Sequence, residues 1–303
     1  MVDAALPSFV VAGEALTDMI VDEDRGQHWT SQVGGSGWNV ARVMAGLDVP
    51  TAFAGAISTD VFGEALWQAS TEARLDLRFL QRLPKAPLLA VVHRRSPPSY
   101  FFIGSDSADL HFDPAQLPAG WMGQARWVHF GGISLAREPL AGKLVALAQT
   151  LKDAGVRISY DPNFRKLMDA GYDSTLRRMA GLADVIKVSD EDLAGLFRTF
   201  DVDAALATLR SWNPEAICLY TRGEAGAELH IGAQRWSAPA VPVTVADTVG
   251  AGDASIAGLL YSLMRKPLDT PEEHLRFAVA AGAAACQGHG ATPPSLAAIR
   301  QLL

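Results

Sequence analysis

Small residues and a carboxylate meet at the start of one predicted helix near the carboxyl end of the chain. Residues 247–255 read DTVGAGDAS, and the apolar run IAGLLYSLM follows them. A turn made of Gly250, Ala251 and Gly252 leaves backbone N–H groups open at the positive end of a helix, which suits an anion. Asp253 in the same turn could accept a proton from a hydroxyl while these N–H groups stabilise a transferring phosphoryl group. An ordinary helix start with a favourably placed acidic residue explains the segment equally well.

A second glycine-rich segment lies at residues 33–41, which read VGGSGWNVA. Glycine lets a backbone approach a ligand closely, and Gly35 and Gly37 flank the predicted turn. Asn39 follows in the first turn of a predicted helix, where its amide can offer a donor and an acceptor to sugar hydroxyls. A capping asparagine after a glycine loop is the more common interpretation of an isolated match.

A third segment, DPNFR at 161–165, follows the strand pattern VRISY. Pro162 stiffens the predicted turn, and Asn163 and Arg165 stand beside the carboxylate of Asp161. Arg165 is suited to bind phosphate or a carboxylate. A capped turn with a solvated arginine is the structural alternative.

Two more segments lie where strands are predicted to end. Residues 187–192 read KVSDED. Ser189 is a natural N-cap there, and the acidic residues favour the positive end of a helix. The functional alternative is a magnesium site that acts through water and phosphate oxygens. Residues 221–227 read TRGEAGA, which could hold nucleotide phosphates or form a plain hairpin turn.

Composition argues against several other classes of protein. The 303 residues carry a net charge of -7 without a basic run, so nucleic acid is not an expected partner. No stretch approaches the roughly 20 apolar residues of a membrane span, and no signal peptide is recognisable. Cys218 and Cys286 form no CxxC pair, which favours a cytoplasmic location without disulfides or zinc. P-loop, GxSxG and GxGxxG motifs are absent.

Alternating strands and helices must position these segments. Apolar strand patterns occur at 9–12, 51–55, 127–130, 156–160, 184–188 and 216–220, and helical spacing occurs at 63–73 and 139–153. This order predicts an α/β fold with a mostly parallel central sheet flanked by helices. Ligands of such sheets bind beyond the carboxyl ends of the strands, which is where the segments above fall.

Two regions interrupt this alternation. Residues 19–33 are polar and alternating, and residues 86–103 contain LLAVVH and SYFFI around a turn at 96–98, which reads as a hairpin. Together they predict a small second sheet that projects from the main domain. A plain loop hairpin fits the pattern equally well.

In combination, these motifs resemble the ribokinase-like (PfkB) family of carbohydrate kinases. The resemblance runs from GEALTD at 13–18 to the end of the chain, and it rests on GGSGWNVA, with Gly55 and Gly63 downstream, and on DTVGAGDASIAGL. It implies one ribokinase-like catalytic domain over residues 1–303. A small β lid would be formed by about residues 19–33 and 86–104.

The resemblance also implies roles for matching residues. Asp253 would be the catalytic base, and the backbone of Gly250, Ala251 and Gly252 would form the anion hole. The residues that would contact the sugar are Asp18, Gly34, Gly35, Asn39, Asn163 and Arg165. Those that would contact ATP are Ser189, Thr221, Gly223 and Gly226. Water would link Mg²⁺ to Asp192, and a monovalent cation, usually K⁺, would lie between Asp247 and residues 286–292. The lid often mediates dimerisation in this family, so a homodimer is expected.

Ser189 and Asp192 stand where the family usually has Asn and Glu. The carboxylate is retained one methylene shorter and the amide is lost, and we expect activity to survive.

The expected substrate is fructose. GEALTD, the SAD at 107–109 and the VSDED stretch are most similar to bacterial fructokinases, whereas DPNFR is shared with 2-keto-3-deoxygluconate kinases. An acidic sugar would need a positive group, which Arg165, Arg94 or Arg95 could supply. A 2-keto-3-deoxygluconate kinase is therefore the alternative, followed by another sugar or nucleoside kinase. A sugar-binding regulator without catalysis is a different class, and the presence of Asp253 and Asn39 argues against it.

Overall fold

A computed structural model describes residues 5–22, 26, 28–94 and 99–303. Thirteen strands lie in these residues. They are β1 Phe9–Ala12, β2 Leu16–Val21, β3 Trp29–Gly34, β4 Thr51–Ser58, β5 Leu80–Leu83, β6 Leu89–Arg94, β7 Ser99–Ile103, β8 Trp127–Gly131, β9 Arg157–Asp161, β10 Val185–Ser189, β11 Ile217–Thr221, β12 Ala227–Ile231 and β13 Gln234–Ala238.

Nine α-helices occur in the same residues. They are α1 Ser36–Gly46, α2 Val61–Glu72, α3 Leu140–Asp153, α4 Asp173–Leu182, α5 Asp190–Phe197, α6 Val202–Ser211, α7 Ala251–Arg265, α8 Pro271–Ala285 and α9 Leu296–Arg300. Short 3-10 helices connect some of these elements. They are Leu77–Phe79, Ala108–His111, Pro114–Gln116, Trp121–Gly123, Gly132–Ala136, Ala170–Tyr172 and Gly223–Ala225. None of the helices built from the described residues combines the length and the apolar character of a membrane span.

The main sheet has nine strands in the order β13-β12-β11-β10-β9-β8-β1-β4-β5. Seven of them run parallel, and β12 and β13 add an antiparallel edge. Each strand predicted for this sheet is present, and β9, β10 and β11 are shifted by one residue toward their carboxyl ends. The segment 221–227 is therefore a turn between antiparallel strands, as one of its two interpretations predicted. The parallel sheet flanked by helices is confirmed.

Helices cover both faces of the main sheet. Side chains alternate along each strand, so Val10 and Ala12 of β1 face one layer and Phe9 and Val11 face the other. The first layer is packed by α3 to α6, and the second by α1, α2, α7, α8 and α9. Two apolar cores result, one on each side of the sheet.

A separate four-stranded sheet, here called the small sheet, has the order β3-β2-β6-β7. Strands β6 and β7 form the predicted antiparallel hairpin, and β2 pairs in parallel with β6. The small sheet begins at Leu16, three residues before the predicted boundary, because the alternating pattern continues into GEALTD. Arg95 and the turn at 96–98 lie outside the described residues.

Helices α7 and α8 pack closely because Gly258 has no side chain. A Cβ at Gly258 would lie 2.6 Å from the Cβ of Ala281 and 3.3 Å from the carbonyl oxygen of Phe277. The ring of Tyr261 stacks on that of Phe277, with the ring centroids 5.3 Å apart. The close approach fixes the position of α7, whose first turn contains Asp253.

We expect Gly258→Ala to lower the free energy of unfolding by about 1–3 kcal/mol, because the added methyl overpacks this interface. Gly181→Ala in α4 is the matched control, since nothing lies within 4 Å of the added Cβ. Alanine is favoured over glycine inside a helix, so the control should be unchanged or more stable by up to about 1 kcal/mol. Urea denaturation measures both variants, and equal midpoints would contradict the packing argument.

Candidate active site

Helix α7 begins with an uncovered turn at the carboxyl edge of the main sheet. Gly250 is its N-cap, with a left-handed φ of 81°, and it offers no side chain to the first N–H groups. Ala251 N–H donates to Thr248 O at 3.2 Å, whereas the N–H groups of Gly252 and Asp253 have no backbone acceptor among the described residues. Such groups at the positive end of a helix can bind an anion.

Asp253 lies in this turn and is 7% exposed. Ser36 Oγ donates to one carboxylate oxygen at 2.7 Å, and Asn39 Nδ2 donates to the other at 2.9 Å. Both donors are in the first turn of α1, more than 200 residues earlier in the chain. The two glycine-rich segments of the sequence therefore meet in one site. Sequence reasoning had named Asn39 but missed Ser36, which it treated as part of a turn.

Burial raises the pKa of the Asp253 carboxyl above its ordinary value, and the hydrogen bonds from Ser36 and Asn39 oppose part of that rise. The nearby charges of Lys187 and Arg165 also favour the ionised form. A carboxylate with a raised pKa is a stronger base than an exposed aspartate, while hydrogen bonds keep it oriented. Asp253 can therefore accept a proton from a group that enters the site.

The residues predicted to contact the sugar on α1 and the small sheet lie around Asp253. Asn39 Oδ1 is buried and has no hydrogen-bond partner among the described residues, so it can accept from a ligand hydroxyl. Asp18 lies on β2, and burial raises the pKa of its carboxyl to about 6, against the opposing charge of Arg165. A Cβ at Gly34 would lie 2.5 Å from Asp18 Oδ2, and one at Gly35 would lie 2.8 Å from Glu14 O. Both glycines are thus needed for close packing around the site.

The DPNFR turn brings two predicted residues to the same region. Asn163 has a left-handed φ of 45°, and its N–H donates to Asp161 Oδ1 at 3.0 Å. Arg165 Nη1 donates to Asn163 O at 3.1 Å, to Asn163 Oδ1 at 2.5 Å and to Phe164 O at 2.8 Å. These bonds fold the arginine back on its own turn. Its charge then favours the ionised forms of Asp18 and Asp253.

Lys187 is a site residue that sequence reasoning missed. Its Nζ would lie 3.2 Å from a Cβ at Gly252, so the ammonium lies beside the first turn of α7. It forms ion pairs of 3.1 Å with Asp161 and 3.5 Å with Asp192. Burial alone would lower its pKa, but these carboxylates outweigh burial and raise it, so the ammonium stays charged. The available signal was a single lysine inside the apolar strand VIKVS.

The predicted nucleotide residues lie at the ends of β10 and β11. Ser189 and Thr221 are paired in register, so their side chains are neighbours at the sheet edge. Gly223 has a φ of 50° and Gly226 one of 85°. A Cβ at Gly226 would lie 2.2 Å from Ala238 O, which explains a glycine there. Their contact with a nucleotide stays a prediction.

The two predicted metal residues lie in different surroundings. Asp247 accepts from Val249 N–H at 3.1 Å and from Gly290 N–H at 2.9 Å, so it is joined to the loop 286–292. Cation binding there stays a prediction. Asp192 instead accepts from the backbone of Ser189 and Phe164. In the part of the chain that the structure describes, no three His, Cys, Asp or Glu side chains are grouped to hold a metal ion.

Together, a base, an anion-binding helix start and a buried ammonium make the site suitable for phosphoryl transfer to a hydroxyl.

A family model described as pfkB family carbohydrate kinase matches residues 7–298, so the chain belongs to the pfkB family of carbohydrate kinases. The family match and the fructokinase relatives support a sugar phosphotransferase. The chain is 33% identical to a fructokinase of Klebsiella pneumoniae, over 84% of this chain and 83% of that protein. It is 30% identical to a fructokinase of Salmonella typhimurium, over 93% of this chain and 94% of that protein.

Solved structures agree with this assignment. A fructokinase of Xylella fastidiosa with bound ATP superposes with a TM-score of 0.87 at 28% identity, covering 98% of each chain. A fructokinase of Vibrio cholerae O395, bound to fructose, ADP and a calcium ion, superposes with a TM-score of 0.85 at 30% identity. That alignment covers 98% of this chain and 99% of the other. The ribokinase-like fold predicted from the motifs is confirmed.

We expect Ser36→Ala to move the acidic limb of the pH–kcat profile to higher pH. The Ser36 hydroxyl favours the ionised form of Asp253, so its loss raises the pKa of the base, and more of the base is protonated at a given pH. The kcat at neutral pH should fall roughly tenfold, as for one hydrogen bond to a charged group.

Ser174→Ala is the matched control for this variant, because Ser174 is exposed in the first turn of α4. Steady-state rates from pH 5 to pH 9 provide the comparison. If the acidic limbs of the two variants coincide, the Ser36 hydroxyl does not tune the base.

Proposed function

We propose that this chain is an ATP-dependent fructokinase in which Asp253 activates the sugar hydroxyl. The observation that carries the proposal is the buried Asp253 carboxylate, held by Asn39 and Ser36 beside the N–H groups that open α7. A base and an anion site share one turn there, as phosphoryl transfer to an alcohol requires. The fructokinases among its relatives supply the choice of sugar.

In the proposed reaction, the oxygen of a fructose hydroxyl attacks the γ-phosphorus of ATP. Asp253 accepts the proton of that hydroxyl, a bond forms between the oxygen and the phosphorus, and the bond to the β–γ bridging oxygen breaks. The N–H groups of Gly252 and Asp253, with the Lys187 ammonium beside them, stabilise negative charge on the phosphoryl oxygens. ADP leaves with the bridging oxygen.

The sugar is oriented by groups that face the base. Asn39 Oδ1 accepts a hydrogen bond from a sugar hydroxyl, and Asp18 offers carboxylate oxygens from the small sheet. The small sheet would act as a lid over the sugar, which excludes water and limits hydrolysis of ATP.

The nucleotide would lie along the ends of β10 and β11, with Ser189, Thr221, Gly223 and Gly226 near its phosphates. Magnesium, which the family resemblance implies, would neutralise charge on those phosphates when bound. A monovalent cation between Asp247 and the loop 286–292, and a cytoplasmic location, stay predictions.

One observation favours a second sugar. Arg165 places a positive charge near Asp18 on the sugar side, which would suit the carboxylate of 2-keto-3-deoxygluconate. An ADP-release assay separates these candidates. It compares fructose with 2-keto-3-deoxygluconate, with other sugars and with nucleosides, each in the presence and absence of K⁺. Fructose should give the highest kcat/KM. A higher value with the acidic sugar would replace fructokinase by the second candidate.

We expect Asp253→Asn to lower kcat for fructose by ~10²–10⁴, the range for loss of a positioned base. Nucleotide affinity, measured by calorimetry, should stay close to wild type because the amide has nearly the same size. Asp203→Asn, an exposed acidic residue in the first turn of α6, is the matched control and should keep full activity.

Near-normal turnover of Asp253→Asn would refute the assignment of the base. If the wild type binds sugar and ATP but releases no ADP with any sugar of the panel, the chain is a binding protein rather than an enzyme.

We also propose that two copies of the chain associate through the small sheet. Phe101, Ile103 and Trp29 lie on the face opposite to Asp18, because neighbouring residues of a strand point to opposite sides. They are 51%, 51% and 42% exposed, a large apolar surface for side chains that usually lie in a core. A second copy would bury this face.

We expect Phe101→Asp to shift the protein from dimer to monomer in sedimentation velocity, because a charge would have to be buried in the interface. Phe200→Asp is the control, since Phe200 is fully exposed outside the small sheet. The proposal is wrong if wild type is monomeric or if both variants dissociate alike.

A further inference from the structure

Asp192 uses its carboxylate to join two separate segments of the chain. Oδ1 accepts the N–H of Phe164 at 2.8 Å, and Oδ2 accepts the N–H of Ser189 at 2.8 Å. Ser189 Oγ in turn accepts the N–H of Asp192 at 3.0 Å, which completes a capping box at the start of α5. The first bond is unusual for a capping residue, because Phe164 lies in the DPNFR turn, 28 residues earlier.

The charge of Asp192 is also balanced inside the protein. The residue is 5% exposed, and Lys187 Nζ lies 3.5 Å from Oδ2. Burial alone would raise the pKa of this carboxyl, but the ammonium and the N–H donors outweigh burial and hold the pKa below its ordinary value. The carboxylate is therefore ionised and fully engaged by protein groups.

The bond to Phe164 acts on the part of the chain that bears substrate residues. Phe164 lies between Asn163, whose backbone is in the left-handed region, and Arg165, whose guanidinium is folded back on the turn. A left-handed Asn is a higher-energy conformation that surrounding contacts must maintain. Asp161 supports one end of the turn through Asn163 N–H, and Asp192 supports its middle.

We propose that Asp192 is a positioning residue for sugar recognition: its carboxylate fixes the DPNFR turn so that Asn163 and Arg165 face the sugar, an inference that rests on the proposed function. The magnesium role predicted for Asp192 does not fit this arrangement, because both oxygens already accept backbone N–H groups and the side chain is buried. A magnesium ion on the nucleotide phosphates would not need this carboxylate.

The first test measures the turn itself and needs no activity. Trypsin cleaves after Arg165 and Lys166, and Lys166 is exposed. Asp192→Asn keeps the size of the side chain but places an amide N–H₂ against N–H donors, so it should loosen the turn. We expect faster cleavage at 165–167, by mass spectrometry, relative to cleavage after Lys152 in the same digest. An unchanged ratio overturns the proposal.

The second test measures recognition of the sugar. Asp192→Asn should weaken fructose binding, measured without nucleotide or metal, by about tenfold, which corresponds to loss of one hydrogen bond to a charged group. The Mg²⁺ concentration for half-maximal rate should not change. A shift in that concentration with unchanged sugar affinity would assign Asp192 to the metal instead.

Asp192→Glu distinguishes the metal role from the positioning role, because it lengthens the side chain by one methylene. Glutamate is the usual family residue, so a metal role predicts full activity for this variant. A positioning role predicts a raised KM for fructose, because the extra methylene displaces the oxygens from Phe164 N–H. Glu191→Gln, an exposed residue of the same helix turn, removes one charge as a control and should leave turn and affinity unchanged.

A double-mutant cycle completes the design. If Asp192 acts through the turn, Asp192→Asn should weaken fructose binding much less in an Arg165→Ala background than in wild type. Additive effects would contradict the proposal.

If the wild type phosphorylates no sugar, the proposed function fails, and the trypsin ratio still decides whether Asp192 holds the turn.

Discussion

A buried carboxylate at the tip of a helix is the constraint on which this structure depends. Asp253 must be ionised to serve as the proposed base, yet burial opposes its charge, so donors have to be supplied from elsewhere in the chain. They come from α1, which follows β3 after Gly35 and begins beside the start of α7. The first turns of α1 and α7 are brought together by the parallel sheet, the glycine turn at Gly35 and the close packing of α7 on α8.

The buried charges of Lys187, Asp161 and Asp192 must also be stabilised by groups inside the protein. Asp161 and Asp192 keep the Lys187 ammonium ionised in the interior, where an isolated lysine would lose its proton. Burial raises the pKa of Asp161 to about 7, although Lys187 opposes the rise. Lys187 remains a fixed positive charge beside Gly252.

The fold and the position of Asp253 at a glycine-rich helix start were predictable because each had a local signal. Strand patterns of four or five residues marked β8 to β11, and GAGD before an apolar helix marked α7. The roles of Ser36 and Lys187 and the contact between Phe164 and Asp192 could not be predicted, because each depends on which strand ends lie side by side in the fold. Sequence shows a serine in a turn or an acid in a capping box, but not the distant group that it binds. The extent of the small sheet was misjudged where GEALTD continued the strand.

The two cores of the main sheet divide the active site between them. Asp253, the proposed base, and its helix belong to the side packed by α1, α7 and α8, whereas the DPNFR turn rests on the side packed by α3 to α6. The proposed base and the proposed sugar contacts of the DPNFR turn therefore rest on two separately packed cores. Substitutions in the core beneath the DPNFR turn can therefore alter the acceptor side of the site without disturbing the core that holds Asp253.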